Sequence, residues 1–212
     1  MSIIAFTNEK GGVGKSTTSV HFAYWLADKK KKVALIDADP QRSCSKWIKG
    51  MDSPIPVTIL TTPDELLERI PEIADEVDYL VIDAPPGLAE CSRAILFRTD
   101  LAIIPCQPTG LDLDAASDAV RLVRQAQSVR GGLPHVGMFV NRASKGTKLK
   151  DEALSLIQKI DDVIALKTVI HQKQAVADAF GQGATVFDLK GAGASDAAAE
   201  FEKLFKEIMR LL

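Results

Sequence analysis

The sequence predicts an α/β protein: a doubly wound, mainly parallel sheet with helices on both faces. The first observation is a series of apolar, β-rich runs at 3–6, 33–36, 57–60, 79–82, 101–104, 136–140 and 165–169. Their hydrophobicity is continuous rather than alternating, as expected of strands covered on both sides. The second is that helical patterns separate most of them, at 17–29, 62–76, 89–98, 113–129, 148–159 and 174–180, with a closing helix over 196–212. Such βα alternation winds into a parallel sheet whose ligands bind at the carboxyl ends of the strands. The third is a glycine-rich loop between the first strand and the first helix. Residues 191–195, Gly-Ala-Gly-Ala-Ser, read as a short loop before the last helix, and Lys29-Lys30-Lys31-Lys32 as solvated charge facing the dipole where the first helix ends.

The chain has 212 residues, 46% of them hydrophobic and 25% charged. That length suits one α/β domain, here 1–212, and is short for two. A formal net charge of −2 gives no global field toward nucleic acid or acidic membranes, so any such contact rests on a local patch. The cysteines Cys44, Cys91 and Cys106 are odd in number and too far apart for a C-x-x-C motif, which suggests reduced thiols. The apolar runs are far shorter than the ~20 residues of a membrane span. With no signal peptide read at the N-terminus, the expected location is cytoplasmic.

Glu9-Lys10-Gly11-Gly12-Val13-Gly14-Lys15-Ser16-Thr17 has the order strand, glycine turn, helix that a phosphate-binding loop requires, and in this it resembles the P-loop NTPases. Glycines let backbone N–H groups wrap a phosphate where a Cβ would obstruct them. Lys15 is expected on the β- and γ-phosphates, the Ser16 hydroxyl on Mg²⁺ and the Thr17 hydroxyl on the α-phosphate. Glu9 stands where the common pattern has glycine, and a second lysine, Lys10, heads the loop. Two further strands end in aspartates, at Asp37-Ala38-Asp39-Pro40-Gln41 and Asp83-Ala84-Pro85-Pro86-Gly87. Magnesium prefers oxygen ligands and keeps several waters, so Asp83 is the expected carboxylate near the metal, through a bound water.

The loop Lys10-Gly11-Gly12-Val13-Gly14-Lys15-Ser16 resembles the deviant Walker A motif of the ParA/MinD family of ATPases, and Asp37-Ala38-Asp39-Pro40-Gln41 its second signature. The resemblance implies ATP and Mg²⁺ as cofactors and a homodimer in the ATP state, with Lys15 acting in cis and Lys10 on the partner's nucleotide. It implies that Asp39 orients the attacking water and senses the γ-phosphate, with Asp37 in support, and it adds Asp39 to Ser16 and Asp83 at the metal. Residues 103–108, Ile-Ile-Pro-Cys-Gln-Pro, are similar to the segment entering the nucleotide and dimer region. Asn141, at the end of another strand, is a candidate for reading adenine or a plain strand-end turn.

Few residues precede the loop, so the chain resembles the short ParA type, which includes plasmid-partition and carboxysome-positioning members. The resemblance implies a nucleoid-associated protein that binds DNA non-specifically and answers to a ParB-like or McdB-like adaptor. Phosphate contacts by Lys173, Lys203, Lys206 and Arg210 would supply that affinity, with Lys145, Lys148 and Lys150 behind them. Glu200, Glu202 and Glu207 intersperse the last helix, and solvated helix charge explains the same lysines. Phe201, Leu204, Phe205, Ile208, Leu211 and Leu212 share one helical face, suited to packing on the domain or, as in MinD-like relatives, to a membrane surface. A metal-cluster carrier of the same family would need thiolates near a dimer axis, and Cys91 and Cys106 stand isolated.

Overall fold

Seven parallel strands form one sheet in the order β3-β2-β4-β1-β5-β6-β7. They are β1 (Ser2–Phe6), β2 (Val33–Asp37), β3 (Val57–Ile59), β4 (Tyr79–Asp83), β5 (Leu101–Cys106), β6 (His135–Val140) and β7 (Ile164–Ala165). The computed structural model describes the backbone of residues 1–212 and every side chain except that of Leu111. One face of the sheet carries α1 (Lys15–Asp28), α2 (Ser43–Gly50), α7 (Gln174–Gly181) and α8 (Ala192–Ile208). The other carries α3 (Pro63–Asp75), α4 (Ala89–Leu96), α5 (Gly110–Val129) and α6 (Lys148–Ile157).

The continuous apolar runs follow from this layering, because successive strand residues point to opposite faces and both faces are dry. Ile4, Phe6, Leu35, Val81, Ile103 and Phe139 pack beneath Phe22, Trp25, Trp47, Phe201 and Phe205. Ile3, Ala5, Ile36, Leu80 and Ile82 face α3 and α4, while Ala102, Ile104, Met138 and Val140 face α5 and α6. Local signals set the ends of elements. Thr62 caps α3 in a reciprocal capping box with Glu65, and the Thr109 hydroxyl accepts from Asp112 N at the start of α5.

Three elements depart from the expectation. The helix α2 has no counterpart in the apolar pattern; only Cys44, Trp47 and Ile48 are buried in it, and its first turn is held by a carboxylate from β2, whose Asp37 Oδ2 accepts from Ser45 N at 2.7 Å and Ser45 Oγ at 2.8 Å. The last helix starts at Ala192, so the expected loop 192–195 is its first turn, entered through Gly191 at φ 108°. The strand expected over 165–169 shrinks to Ile164–Ala165, because Glu207 of α8 accepts from Lys167 N (2.6 Å) and from the Thr168 hydroxyl and draws the chain off the ladder.

Of the expected apolar stripe, Phe201, Leu204, Phe205 and Ile208 are buried on the sheet, whereas Leu211 and Leu212 follow the end of α8, the first half-buried and the second exposed. Among the described residues, no helix is long and apolar enough to cross a membrane.

Candidate nucleotide site

The loop between β1 and α1 lies at the carboxyl edge of the sheet, between the ends of β4, β5 and β6. Gly12 (φ 77°) and Gly14 (φ 96°) occupy the left-handed region, and a Cβ on Gly14 would sit 2.2 Å from Asn141 Nδ2. Side chains from neighbouring strand ends engage the loop carbonyls. Asn141 Nδ2 donates to Val13 O (2.7 Å), while Arg142 Nη1 (2.8 Å) and Gln107 Nε2 (3.1 Å) both donate to Gly12 O. Asn8 braces the start of the loop, donating to Pro105 O at 2.9 Å and accepting from Lys10 N at 2.9 Å. Among the described residues the N–H groups of Gly11, Gly12, Val13 and Gly14 meet no acceptor. Together with the unpaired first turn of α1 they form a concave donor surface suited to phosphate oxygens.

Lys15 is buried and its Nζ donates to Asn8 O (3.0 Å) and Lys10 O (2.9 Å). Burial lowers its pKa, against the opposing charges of Asp83, Asp39 and Glu9. Asp37 and Asp83 are register partners at the ends of β2 and β4, and both are buried. Asp37 is structurally committed, with Oδ2 on Ser45 and Oδ1 accepting from Asp39 N at 3.2 Å. Asp83 differs. Its Oδ2 accepts from Cys44 Sγ at 3.1 Å and its Oδ1 is buried without a hydrogen-bond partner; burial pushes its carboxyl up to about 7, against the opposing pull of the Ser16 hydroxyl and then the Cys44 thiol. Asp39 is half-buried on the cleft wall, its Oδ1 accepting from Gln41 N at 2.9 Å.

These groups fit a magnesium nucleotide. Ser16 stands second in α1 beside the loop, the orphaned Oδ1 of Asp83 is an oxygen suited to a metal-bound water, and Asp39 supplies a second carboxylate. Mg²⁺, when bound there, neutralises charge on the β- and γ-phosphates. The cleft holds about 650 Å³ and runs from Gly14 and Lys15 past Asn141 and Arg142 to the apolar wall of Val176 and Phe180. That volume and the polar-to-apolar gradient suit a triphosphate at one end and a base at the other.

Residues 4–186 match the CobQ/CobB/MinD/ParA nucleotide binding domain, CbiA. The chain belongs to this family. It is 26% identical over 211 residues to the maintenance of carboxysome distribution protein A of Halothiobacillus neapolitanus, covering 97% of this chain and 95% of that one. It is 28% identical over 238 residues to the sporulation initiation inhibitor protein Soj of Bacillus subtilis, covering 91% and 93%. Apo McdA from Cyanothece superposes with a TM-score of 0.82 at 18% identity, covering 99% of both chains.

The lysine that heads the loop takes a definite position. Lys10 does not line its own cleft; its Nζ lies 3.0 Å from Oδ1 of Asp112, in the first turn of α5. Asn141 has one amide N–H on Val13 O, which leaves its second N–H and its Oδ1 for a base. The loop 170–174 walls the cleft, and there Lys173 departs from the expected DNA surface. Its side chain is 9% exposed and its Nζ is 2.5 Å from Glu200 Oε1, a carboxylate shared with His171 Nδ1 at 2.9 Å. A compensated, buried ammonium is not free to meet a phosphate backbone, which removes Lys173 from that patch. Lys203, Lys206 and Arg210 are exposed on or just beyond α8, with Lys206 paired to Glu202 at 2.9 Å.

Gln107 braces the loop from the segment 103–108 singled out in the sequence, whereas Asn8 and Arg142 carry no motif of their own and are marked only by a place at a strand's carboxyl end. Cys91 and Cys106 are buried apart, on Thr61 O and Phe139 O, and among the described residues no three His, Cys, Asp or Glu side chains converge as a metal site.

Proposed function

We propose that the chain is a ParA-type ATPase that dimerises on ATP, binds DNA without sequence preference and is stimulated by a ParB-like or McdB-like adaptor to partition or position cargo. The observation that carries this reading is the phosphate loop in which Lys15 serves its own cleft and Lys10 does not. Near-complete coverage of relatives named for carboxysome distribution and for Soj supports it.

Little covalent work is needed. The loop amides and Lys15 hold the phosphate charge, Ser16 and Asp83 serve the metal, and Asp39 on the open wall positions the attacking water. Lys10 adds its charge to the partner's phosphates only once it leaves Asp112, so ATP favours the dimer and hydrolysis releases it. Glu200 and Glu207 turn inward to loop 167–173, so the outer side of α8 presents Lys203, Lys206 and Arg210. The DNA contacts belong there.

The test uses the Asp39→Ala protein, which holds ATP without turnover. Light scattering and co-retention on immobilised plasmid DNA should show a dimer and salt-sensitive DNA binding with ATP and Mg²⁺, and neither with ADP. A monomer in both nucleotides, or DNA binding indifferent to nucleotide, refutes the scheme.

A further inference from the structure

Cys44 lies two residues into α2, fully buried, with its Sγ 3.1 Å from Oδ2 of Asp83 and 3.6 Å from the carbonyl oxygen of Ser16. It therefore stands directly behind the two groups that fit the metal, one from the phosphate loop and one from β4. A thiol has one proton to donate. The shorter contact, to the carboxylate, takes it, and the Ser16 peptide packs against the sulfur. The next residue does the same for the neighbouring strand, since Ser45 donates through both N and Oγ to Asp37 Oδ2. The start of α2 thus fixes the carboxylates that end β2 and β4.

We propose that Cys44 is a positioning residue for magnesium: its S–H holds Oδ2 of Asp83 from behind and keeps Oδ1 aimed at the metal's water shell. Oδ1 is the oxygen that is buried and unpartnered, whereas Oδ2 has Cys44. An untethered carboxylate rotates about its last torsion and presents either oxygen, or turns both toward other donors. Tethering one oxygen selects the other, which is how outer-shell groups tune a metal site. The inference rests on the magnesium-nucleotide reading of the cleft and is independent of dimerisation and DNA binding.

The test is a Mg²⁺ titration of the full chain with a fluorescent ATP analogue, comparing Cys44→Ala and Cys44→Ser with the unsubstituted protein. Affinity in EDTA and thermal unfolding are read alongside. Cys44→Ala should raise the Mg²⁺ concentration at the midpoint of tightened binding by about 10-fold, within the range seen for outer-shell partners, and leave affinity in EDTA unchanged. Cys44→Ser, whose hydroxyl donates to the same oxygen, should return the midpoint to within about 2-fold. Should Cys44→Ala not fold, a Cys44→Ser midpoint within that limit beside a shifted Cys44→Val midpoint supports the same conclusion. A purely packing role lowers the unfolding temperature without moving the Mg²⁺ midpoint, and that result overturns the proposal. Equal shifts in the Ala and Ser variants overturn it too. A native protein whose nucleotide affinity ignores Mg²⁺ overturns the metal reading itself, and is distinguished because the unsubstituted protein alone reveals it.

Discussion

The ion pair between Lys10 and Asp112 predicts an asymmetric response to mutation. The charges are 3.0 Å apart, with side-chain exposures of 38% for Lys10 and 3% for Asp112. At an effective dielectric constant of about 20 their attraction is roughly 5 kcal/mol. Solvent screening and the ordering of a long side chain that is more than a third exposed reduce the net worth to about 1 kcal/mol. Losing one partner is a different matter. Asp112→Ala releases Lys10 into water and forfeits about 1 kcal/mol or less of pairing, in addition to the Thr109 bond that the double variant loses as well. Lys10→Ala strands a buried carboxylate, a loss of about 3–5 kcal/mol in general. Here the Thr109 hydroxyl and the N-terminus of α5 still stabilise Asp112, which brings the expectation to about 2 kcal/mol. The double variant should then be about as stable as Asp112→Ala alone. Urea unfolding of the four proteins measures this directly, and strictly additive losses refute the pairing. In the proposed dimer the same bond must break before Lys10 could reach a partner's nucleotide. Asp112→Asn should therefore tighten ATP-dependent dimerisation by about 5-fold per protomer, the equivalent of about 1 kcal/mol. Sedimentation with a non-hydrolysable analogue checks it, and an unchanged dimer constant separates Lys10 from the interface.

Gly14→Ala combines a left-handed residue with a Cβ 2.2 Å from Asn141 Nδ2, so it should cost about 2 kcal/mol or more and abolish nucleotide binding; Gly11→Ala, whose Cβ meets nothing within 4 Å, should unfold like the native protein. His21 is fully buried, its Nδ1 on Thr17 O and its Nε2 accepting from Val186 N, and burial lowers its pKa from 6.5 to about 4. The unfolded chain binds the extra proton between those values, so stability is full above pH 6.5 and falls by about 3 kcal/mol as the pH drops to 4. Denaturant unfolding of His21→Gln should lack that part of the slope, and an identical slope rejects the assignment. Lys203→Glu with Arg210→Glu should weaken ATP-dependent DNA retention and flatten its salt dependence by about one unit per residue, whatever the DNA sequence.

The parts of the site that were legible in the sequence are those whose chemistry is local. Gly12, Gly14 and Lys15 need one another within a few residues, and Asp37 and Asp83 each end a run of buried apolar residues, so pattern alone places them at a carboxyl edge. What was not legible depends on partners far along the chain. Asn8 meets Pro105, and Gly12 meets Gln107 and Arg142, at separations of 95 residues or more, and no spacing rule encodes such pairs. The helix α2 escaped for a related reason. Eight residues with three buried side chains carry too weak a period, and the carboxylate of Asp37 that organises the first turn comes from the preceding strand.

Charge on the last helix shows the limit most clearly. Along the sequence its lysines and glutamates alternate and cancel, so a patch and a solvated helix read alike. Folding separates the signs, because the two glutamates about two helical turns apart, Glu200 and Glu207, face the chain that runs from Lys167 to Lys173. Glu207 bends the strand end at Lys167 and Thr168, and Glu200 anchors His171 and Lys173 on the cleft wall. Each of these two acids thus has an inward task, and the acids that α8 leaves outside are Glu202, paired to Lys206, and Asp196, which faces Lys145. The net positive surface of α8 is a product of the anchoring of the nucleotide cleft, and any rearrangement of loop 170–174 on nucleotide binding acts on the same helix that carries Lys203, Lys206 and Arg210 at its outer surface and end.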